Sequence, residues 1–317
     1  MEKSVLITGG AGFLGRCLGL ALKDHYNVTL AGRNNFQNQE AKRLTGCQTL
    51  PLDVSNIESV RDCFVEIKPH IVIHAAATKY VDLSERYPME CLDVNVLGSQ
   101  NVARVAAERG VEVVVGMSTD KAAPPVSNTY GLTKALMERL FCAMNGKTET
   151  RFACVRHGNI AWSTGSVFPA WKQMHDSTGV IGSTGPEMTR FFSKVDDAVE
   201  LIKTALENIE GLQGTVLTRA LKSAQIRDIL EIWIKHKGGS WKQIEGRPGE
   251  RPHEYLIGEP ELPFTYETKF KGMKHYVINF NQRAPKPLPA PSNSENAERL
   301  SEEEILEIIN NPPVELR

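Results

Sequence analysis

A glycine-rich turn close to the start of the chain constrains the fold more than any other feature. Residues 4–8, Ser-Val-Leu-Ile-Thr, form a short apolar run that leads straight into Gly9-Gly10-Ala11-Gly12-Phe13-Leu14-Gly15, and an amphipathic stretch follows to residue 23. Strand, turn and helix in that order, with glycines at 9, 12 and 15, open a dinucleotide-binding βαβ unit. The glycines permit a tight turn and close backbone approach, and a pyrophosphate can sit on the helix N-terminus. The alternation then repeats through the first 160 residues, with strands predicted at 27–32, 49–52, 71–75, 111–118 and 151–156 and helices at 12–23, 57–67, 87–109 and 130–145. Nearly continuous apolar strands of this kind suit parallel positions covered on both faces.

The fold class that follows is α/β: a Rossmann-type doubly wound parallel sheet with a smaller C-terminal substrate-binding lobe. Beyond residue 156 the alternation stops. Residues 158–185 are rich in Gly, Ser, Thr and Trp and read as loops and short elements, helices return at 194–208 and 226–237, and four prolines fall within 285–291. A capping box, Ser301 to Glu304, opens a last apolar stripe. We therefore divide the chain into a cofactor domain at 1–160, with about 186–215 packing back onto it, a substrate lobe over most of 161–292, and a helical tail at 293–317.

Charge and composition narrow the partners. The 37 Lys+Arg against 38 Asp+Glu leave a net charge of −1, so no global field points to nucleic acid or an anionic membrane. No run of 18 apolar residues occurs to span a bilayer, and residues 4–8 are too few for a signal sequence. Six cysteines without a CxxC pair read as reduced thiols, hence a cytoplasmic location, and the histidines form no metal-ligand pattern.

Two constellations carry chemistry. The second strand ends Leu30-Ala31-Gly32-Arg33, with a cation where an NAD enzyme places an acid for the ribose 2′-hydroxyl. A guanidinium there can fork onto a 2′-phosphate, so the cofactor is read as NADP rather than NAD. Tyr130 and Lys134, four apart on one helical face, follow a strand ending in Ser118-Thr119-Asp120-Lys121. A phenol beside a cation and the nicotinamide ribose is expected to have a lowered pKa and to take a hydroxyl proton as hydride leaves carbon.

These residues carry a resemblance. The glycine turn, His74-Ala75-Ala76-Ala77, Asn95 and Tyr130-xxx-Lys134 look like the extended short-chain dehydrogenase/reductase superfamily. Ser118-Thr-Asp-Lys-Ala-Ala123, Tyr130-Gly-Leu-Thr-Lys134, Arg156-His-Gly-Asn159, Gly165-Ser-Val167, Met188-Thr-Arg-Phe191 and Pro248-Gly-Glu-Arg-Pro-His-Glu254 resemble the polysaccharide-biosynthesis UDP-sugar 4,6-dehydratases, closest to the 5-inverting UDP-N-acetylglucosamine branch. The membrane-anchored retaining branch tends to carry Met where this chain has Tyr130. Trp162 and Thr164 depart from the Gly and Arg of the family pattern, and His157 from its Tyr.

The resemblance implies an NADP-dependent lyase acting on UDP-N-acetylglucosamine, with a 4-epimerase or reductase, or a non-catalytic NADP-binding protein, as alternatives. Its catalytic set would be Thr119, Asp120, Lys121, Tyr130 and Lys134. Lys121, kept neutral by burial and by Lys134, would remove the C5 proton, and a protonated Asp120 would serve the departing 6-hydroxyl. Besides Tyr130 and Lys134, the cofactor would be held by Gly9, Gly12, Phe13, Leu14, Gly15, Arg33, Asp53, Val54, Ala75, Ala76, Ala77, Lys79 and Asn95. The UDP-sugar would meet Lys79, Asn159, Ser166, Val167, Arg190, Arg251 and Glu254, the two arginines on the diphosphate. The helices at 87–109 and 130–145 resemble the superfamily's dimer bundle, so a homo-oligomer, dimer or higher, is expected.

Overall fold

The computed structural model describes residues 2–313. Six parallel strands, β1 (Ser4–Thr8), β2 (Asn27–Gly32), β3 (Gln48–Pro51), β4 (Ile71–His74), β5 (Val113–Thr119) and β6 (Arg151–His157), lie where alternation placed them. The sheet continues through β7 (Val216–Arg219), parallel to β6, and then the antiparallel hairpin β8 (Thr265–Phe270) and β9 (Met273–Ile278). The order across its nine strands is β8-β9-β7-β6-β5-β4-β1-β2-β3. These last three strands were not predicted, and they belong to the main sheet rather than to the substrate lobe.

Two apolar layers sandwich the sheet, and single strands feed both. In β1, Leu6 enters one core, with α3 (Ile57–Ile67), α4 (Gly98–Glu108) and α5 (Thr129–Met144), while Val5 and Ile7 enter the other. That second core holds α1 (Phe13–Leu22) and α6 (Val195–Glu207). Coverage on both faces is why these strands carry no polar alternation. A separate cluster unites Trp162, Phe168, Trp171, Ile226, Leu230 and Trp233 with Ile305, Ile308 and Ile309.

The structure departs from the sequence expectations in three helices. α2 (Asn35–Thr45) was not predicted, because its only buried side chains are Asn38, Ala41 and Thr45, too narrow a stripe to show as periodicity. Val167–Thr178 is a full helix inside the stretch read as loops. The helix expected at 87–109 is interrupted by a π turn at Asp93–Leu97 between Pro88–Leu92 and α4.

A buried ion cluster ties the layers together. Arg156, at the end of β6, is fully buried and donates to both oxygens of Glu138 on α5 (2.9 and 2.6 Å), to both of Glu261 (3.0 and 2.9 Å), and to the Leu256 carbonyl at 2.6 Å.

Candidate active site

The carboxyl edge of the parallel strands opens into one cleft of about 860 Å³ between the sheet and the C-terminal lobe. Its floor is the glycine turn. Gly9 takes φ +67°, and a Cβ on it would lie 2.7 Å from the Ala76 backbone, while a Cβ on Gly15 would lie 2.5 Å from Gly10 Cα. Both positions are closed to a side chain by the protein's own packing. Gly12 differs: a Cβ there would meet only the Gly9 carbonyl, at 3.1 Å, and otherwise face the cleft. Gly12 is also the N-cap of α1 and makes no side-chain cap, so the first N–H groups of that helix face a cradle fitted to a pyrophosphate.

Phe13, Leu14, Arg33, Asp53, Val54, Ala75, Ala76, Ala77 and Lys79 line the same cleft as the turn. Arg33 is exposed, 3.9 Å from Glu90, at a strand end that carries no acid. Asn34 and Gln37, which sequence reasoning missed, line the cleft beside it. Asn95 is not on the wall but behind it. Fully buried in the π turn, it accepts from Thr78 N at 2.8 Å and donates to Thr78 O and to Thr133 Oγ1. It positions the 75–79 loop, and the turn's widened backbone explains why a contact through the cleft is replaced by one from beneath.

β5 delivers the reactive groups. Thr119 is extended, and a 3₁₀ turn at Asp120–Ala122 follows, capped by the Thr119 hydroxyl. The turn points Lys121 into the cleft and Asp120 away from it. α5 starts immediately against this turn: Asn128 caps it by accepting from Gly131 N at 2.7 Å, and a Cβ on Gly131 would come within 2.2 Å of the Lys121 carbonyl. Only glycine lets Tyr130 and the turn approach so closely.

The electrostatics reverse two expectations. Burial pushes the Tyr130 phenol up, Asp120 adds to it, and a hydrogen bond with Thr119 pulls the other way. Lys134 does not lower it: its Nζ donates to Met137 Sδ at 3.1 Å, and burial depresses this ammonium to about 8. Lys121 was expected to be neutral. Burial does favour that, but Asp120 Oδ1 at 3.0 Å and Glu254 Oε1 at 3.4 Å outweigh it and raise the ammonium, with Arg190 opposing them. Asp120 is fully buried and accepts from Thr119 Oγ1 and Lys121 Nζ on Oδ1, while its Oδ2 and the Ser118 hydroxyl have no hydrogen-bond partner.

Asn159, Ser166, Val167, Arg190 and Glu254 line the cleft. Ser166 is the N-cap of the Val167–Thr178 helix, and its buried hydroxyl has no partner, so a second helix N-terminus faces the same space. Arg251 does not line the cleft. Its guanidinium donates to Glu254 Oε2 and to the carbonyls of Pro125 and Asp120. Arg247, four residues before the expected PGERPHE cation, lies exposed on the cleft wall. Trp162 does not line the cleft either. It is buried at φ +64°, the left-handed region that a family glycine would favour, and donates to the Ile308 carbonyl at 2.7 Å. His157 lines the cleft with Nδ1 2.7 Å from the Gly158 carbonyl, and burial lowers its pKa.

Residues 5–275 match the model of the polysaccharide biosynthesis protein family. The chain is 32% identical over 274 residues to the inverting UDP-N-acetylglucosamine 4,6-dehydratase of Campylobacter jejuni, covering 84% of this chain and 80% of that one. It is 31% identical to a UDP-glucose 4-epimerase of Rickettsia bellii, over 98% of this chain and 96% of that one. Among solved structures it superposes on Pen from Bacillus thuringiensis with a TM-score of 0.88, 26% identity and 98% coverage of both chains. Among the described residues no helix is long and apolar enough to cross a membrane.

Proposed function

The chain belongs to the family of polysaccharide biosynthesis proteins, and from that premise we propose that it is an NADP-dependent 4,6-dehydratase of UDP-N-acetylglucosamine, giving a UDP-4-keto-6-deoxy sugar with inversion at C5. The observation that carries this reading is the Thr119-Asp120-Lys121 turn pressed against Tyr130 in one cleft with two open helix N-termini. Oxidation at C4 alone needs only Tyr130 and its neighbours. An acid–base pair beside them suits the removal of a C5 proton and a 6-hydroxyl.

A nicotinamide cofactor, held by the Gly9–Gly15 turn and the cleft wall at Arg33, Asp53 and Ala75–Ala77, would supply the hydride acceptor for C4 and the donor for C6, and its positive charge would favour the tyrosinate. Tyr130 accepts the 4-hydroxyl proton, and Thr119 orients that hydroxyl. Transfer of one proton from Lys121 Nζ to Asp120 Oδ1, across their 3.0 Å hydrogen bond, gives both groups the form elimination requires. Neutral Lys121 removes the C5 proton, acidified by the adjacent ketone, and once C6 is reduced the resulting enolate takes a proton at C5 from solvent on the opposite face. Asp120, which lies behind the wall, delivers to the departing 6-hydroxyl through the Thr119 hydroxyl it holds.

Ser166 and Val167 suit the diphosphate, an anion facing one helix N-terminus, and Arg190 lines the cleft beside them with its guanidinium held by the Thr189 and Pro252 carbonyls. Exposed Tyr87, Met89, Leu132 and Leu136 on neighbouring helices favour self-association. The 4-epimerase reading stays in play because the Rickettsia match spans almost the whole of both chains. Incubation with UDP-N-acetylglucosamine and NADP+ in D2O, followed by NMR, tests the assignment. A 4-keto-6-deoxy product with deuterium at C5 supports it, and the coupling constants give the C5 configuration. No product from any UDP-hexose or UDP-N-acetylhexosamine overturns it.

Arg33 tests the cofactor. Arg33→Ser is expected to weaken NADP+ binding by roughly 10- to 100-fold, the worth of a charge-assisted hydrogen bond, while NAD+ affinity holds. Calorimetric titration with both nucleotides checks it, and an unchanged NADP+ affinity would assign the 2′-phosphate elsewhere.

A further inference from the structure

Arg251 and Glu254 turn inward, onto the acid–base turn, and three observations define what they grip. Glu254 is 2% exposed, and its Oε1 faces Lys121 Nζ at 3.4 Å and Arg190 Nε at 3.8 Å, while Oε2 accepts from Arg251 Nε at 2.6 Å. Arg251 donates in turn to the carbonyls of Asp120 and Pro125, which bracket the turn. The backbone of Glu254 is itself held at both groups: its N–H donates to Ser294 Oγ, and its carbonyl accepts from Ser294 N, each at 2.8 Å. Ser294 is buried and also donates to the Thr189 carbonyl, so the segment beyond residue 292 reaches back to support the site.

Lys121 Nζ donates to Asp120 Oδ1 at 3.0 Å and to Asn159 Oδ1 at 3.1 Å, and Glu254 Oε1 completes its surroundings as an ion-pair partner at 3.4 Å. We propose that Arg251 and Glu254 are a positioning clamp for the catalytic turn, Arg251 fixing its backbone and Glu254 holding the Lys121 side chain and governing when it releases a proton, and that neither binds the UDP-sugar. The proposal rests on Lys121 being the proton-transfer group of the dehydratase reading. The groups that bear on its charge are Asp120 on its own turn, Glu254 and Arg190 from the C-terminal lobe, and His157 at the end of β6, with Tyr130 and Lys134 of α5 lining the same cleft.

Glu254→Gln keeps the shape and an acceptor oxygen but removes the charge. The sign follows: with one fewer anion nearby, Lys121 gives up its proton at lower pH. Acylation of Lys121 by acetic anhydride, read by peptide mass spectrometry across pH with exposed Lys269 as the internal reference, is expected to shift its midpoint down by about one to two units. The rising limb of the kcat–pH profile should move with it, while KM for the UDP-sugar stays within about twofold, since a clamp makes no ground-state contact. Glu254→Asp retains the charge and is expected to leave the midpoint within about half a unit. An unmoved midpoint in Glu254→Gln, an equal shift in Glu254→Asp, or a raised KM with a fixed pH profile overturns the proposal. Acylation needs no turnover, so a shifted midpoint in a protein that converts no UDP-sugar would leave the clamp standing and remove the dehydratase reading.

Discussion

Lys121→Met is expected to lower dehydration by about 10²–10⁴-fold, the usual contribution of a positioned general base. The loss should be confined to one half of the reaction. Tyr130, Thr119 and Lys134 remain in place, so hydride can still leave C4. With the C5 proton retained, no C5–C6 double bond forms to receive that hydride at C6. Mixing the variant with UDP-N-acetylglucosamine should therefore leave reduced cofactor accumulating, visible as NADPH absorbance, where the parent enzyme shows only a transient. Met is chosen because its unbranched chain fills the same channel beside Asn159 and Glu254. It does leave Asp120 without its ammonium partner, so the variant's fold needs checking by thermal melt. The same variant separates the rival reading. A 4-epimerase returns hydride to C4 and requires no base at C5, so its turnover would survive. Retained dehydration would remove Lys121 from the mechanism.

How far the sequence foretold this site depended on how local each residue's partners are. The glycine turn, Arg33, and the pair Tyr130 and Lys134 each sit at a strand end or helix start marked by local sequence, and their place in the cleft was legible from spacing. Most of the first six strands were legible too, because burial on both faces leaves an unmistakable apolar run; the edge strand β3, Gln48–Pro51, is the exception, only half-buried and with a single aliphatic residue. Arg251 and Glu254 were expected only as ligand contacts, and their protein partners were not foreseen. Asp120, Pro125 and Lys121 lie more than 120 residues away, and no spacing rule encodes that. Lys121 was misjudged for the same reason, since the carboxylate of Glu254 that helps to keep it charged comes from the other lobe. The β8–β9 hairpin was missed although Lys271 and Gly272, both at positive φ, form the two-residue turn that matches strand twist. The signal was there, in a stretch of mixed polarity that a search for apolar runs passes over.

Arg156→Met should cost about 3–5 kcal/mol of folding stability, the penalty for breaking a buried ion cluster from one side. The arginine serves two carboxylates at once, Glu138 and Glu261, each 1–2% exposed on its side chain. Removing it leaves two buried negative charges facing each other across the vacated space. Their pKa values must then rise, so the variant gains protons on folding that the unfolded chain does not hold near neutral pH. The sign follows from linkage: its stability should increase as pH falls from 8 towards 5, against the trend expected of the parent. Urea unfolding at several pH values checks both size and slope, with an unchanged m-value showing that the loss is in stability alone. Adding Glu138→Gln and Glu261→Gln should recover most of it, because neutral side chains need no counter-charge, and Gln at 261 can still accept from Gly258 N as Glu261 does at 3.0 Å. A single variant within about 1 kcal/mol of the parent would mean that water or a shifted backbone compensates the pair. The consequence reaches the cleft, since Glu138 lies one turn beyond Lys134 on α5 and Glu261 follows closely on the Arg251–Glu254 segment. Arg156 thus binds the helix that carries the phenol to the lobe that grips the acid–base turn. A variant that still folds should lose elimination more than cofactor affinity.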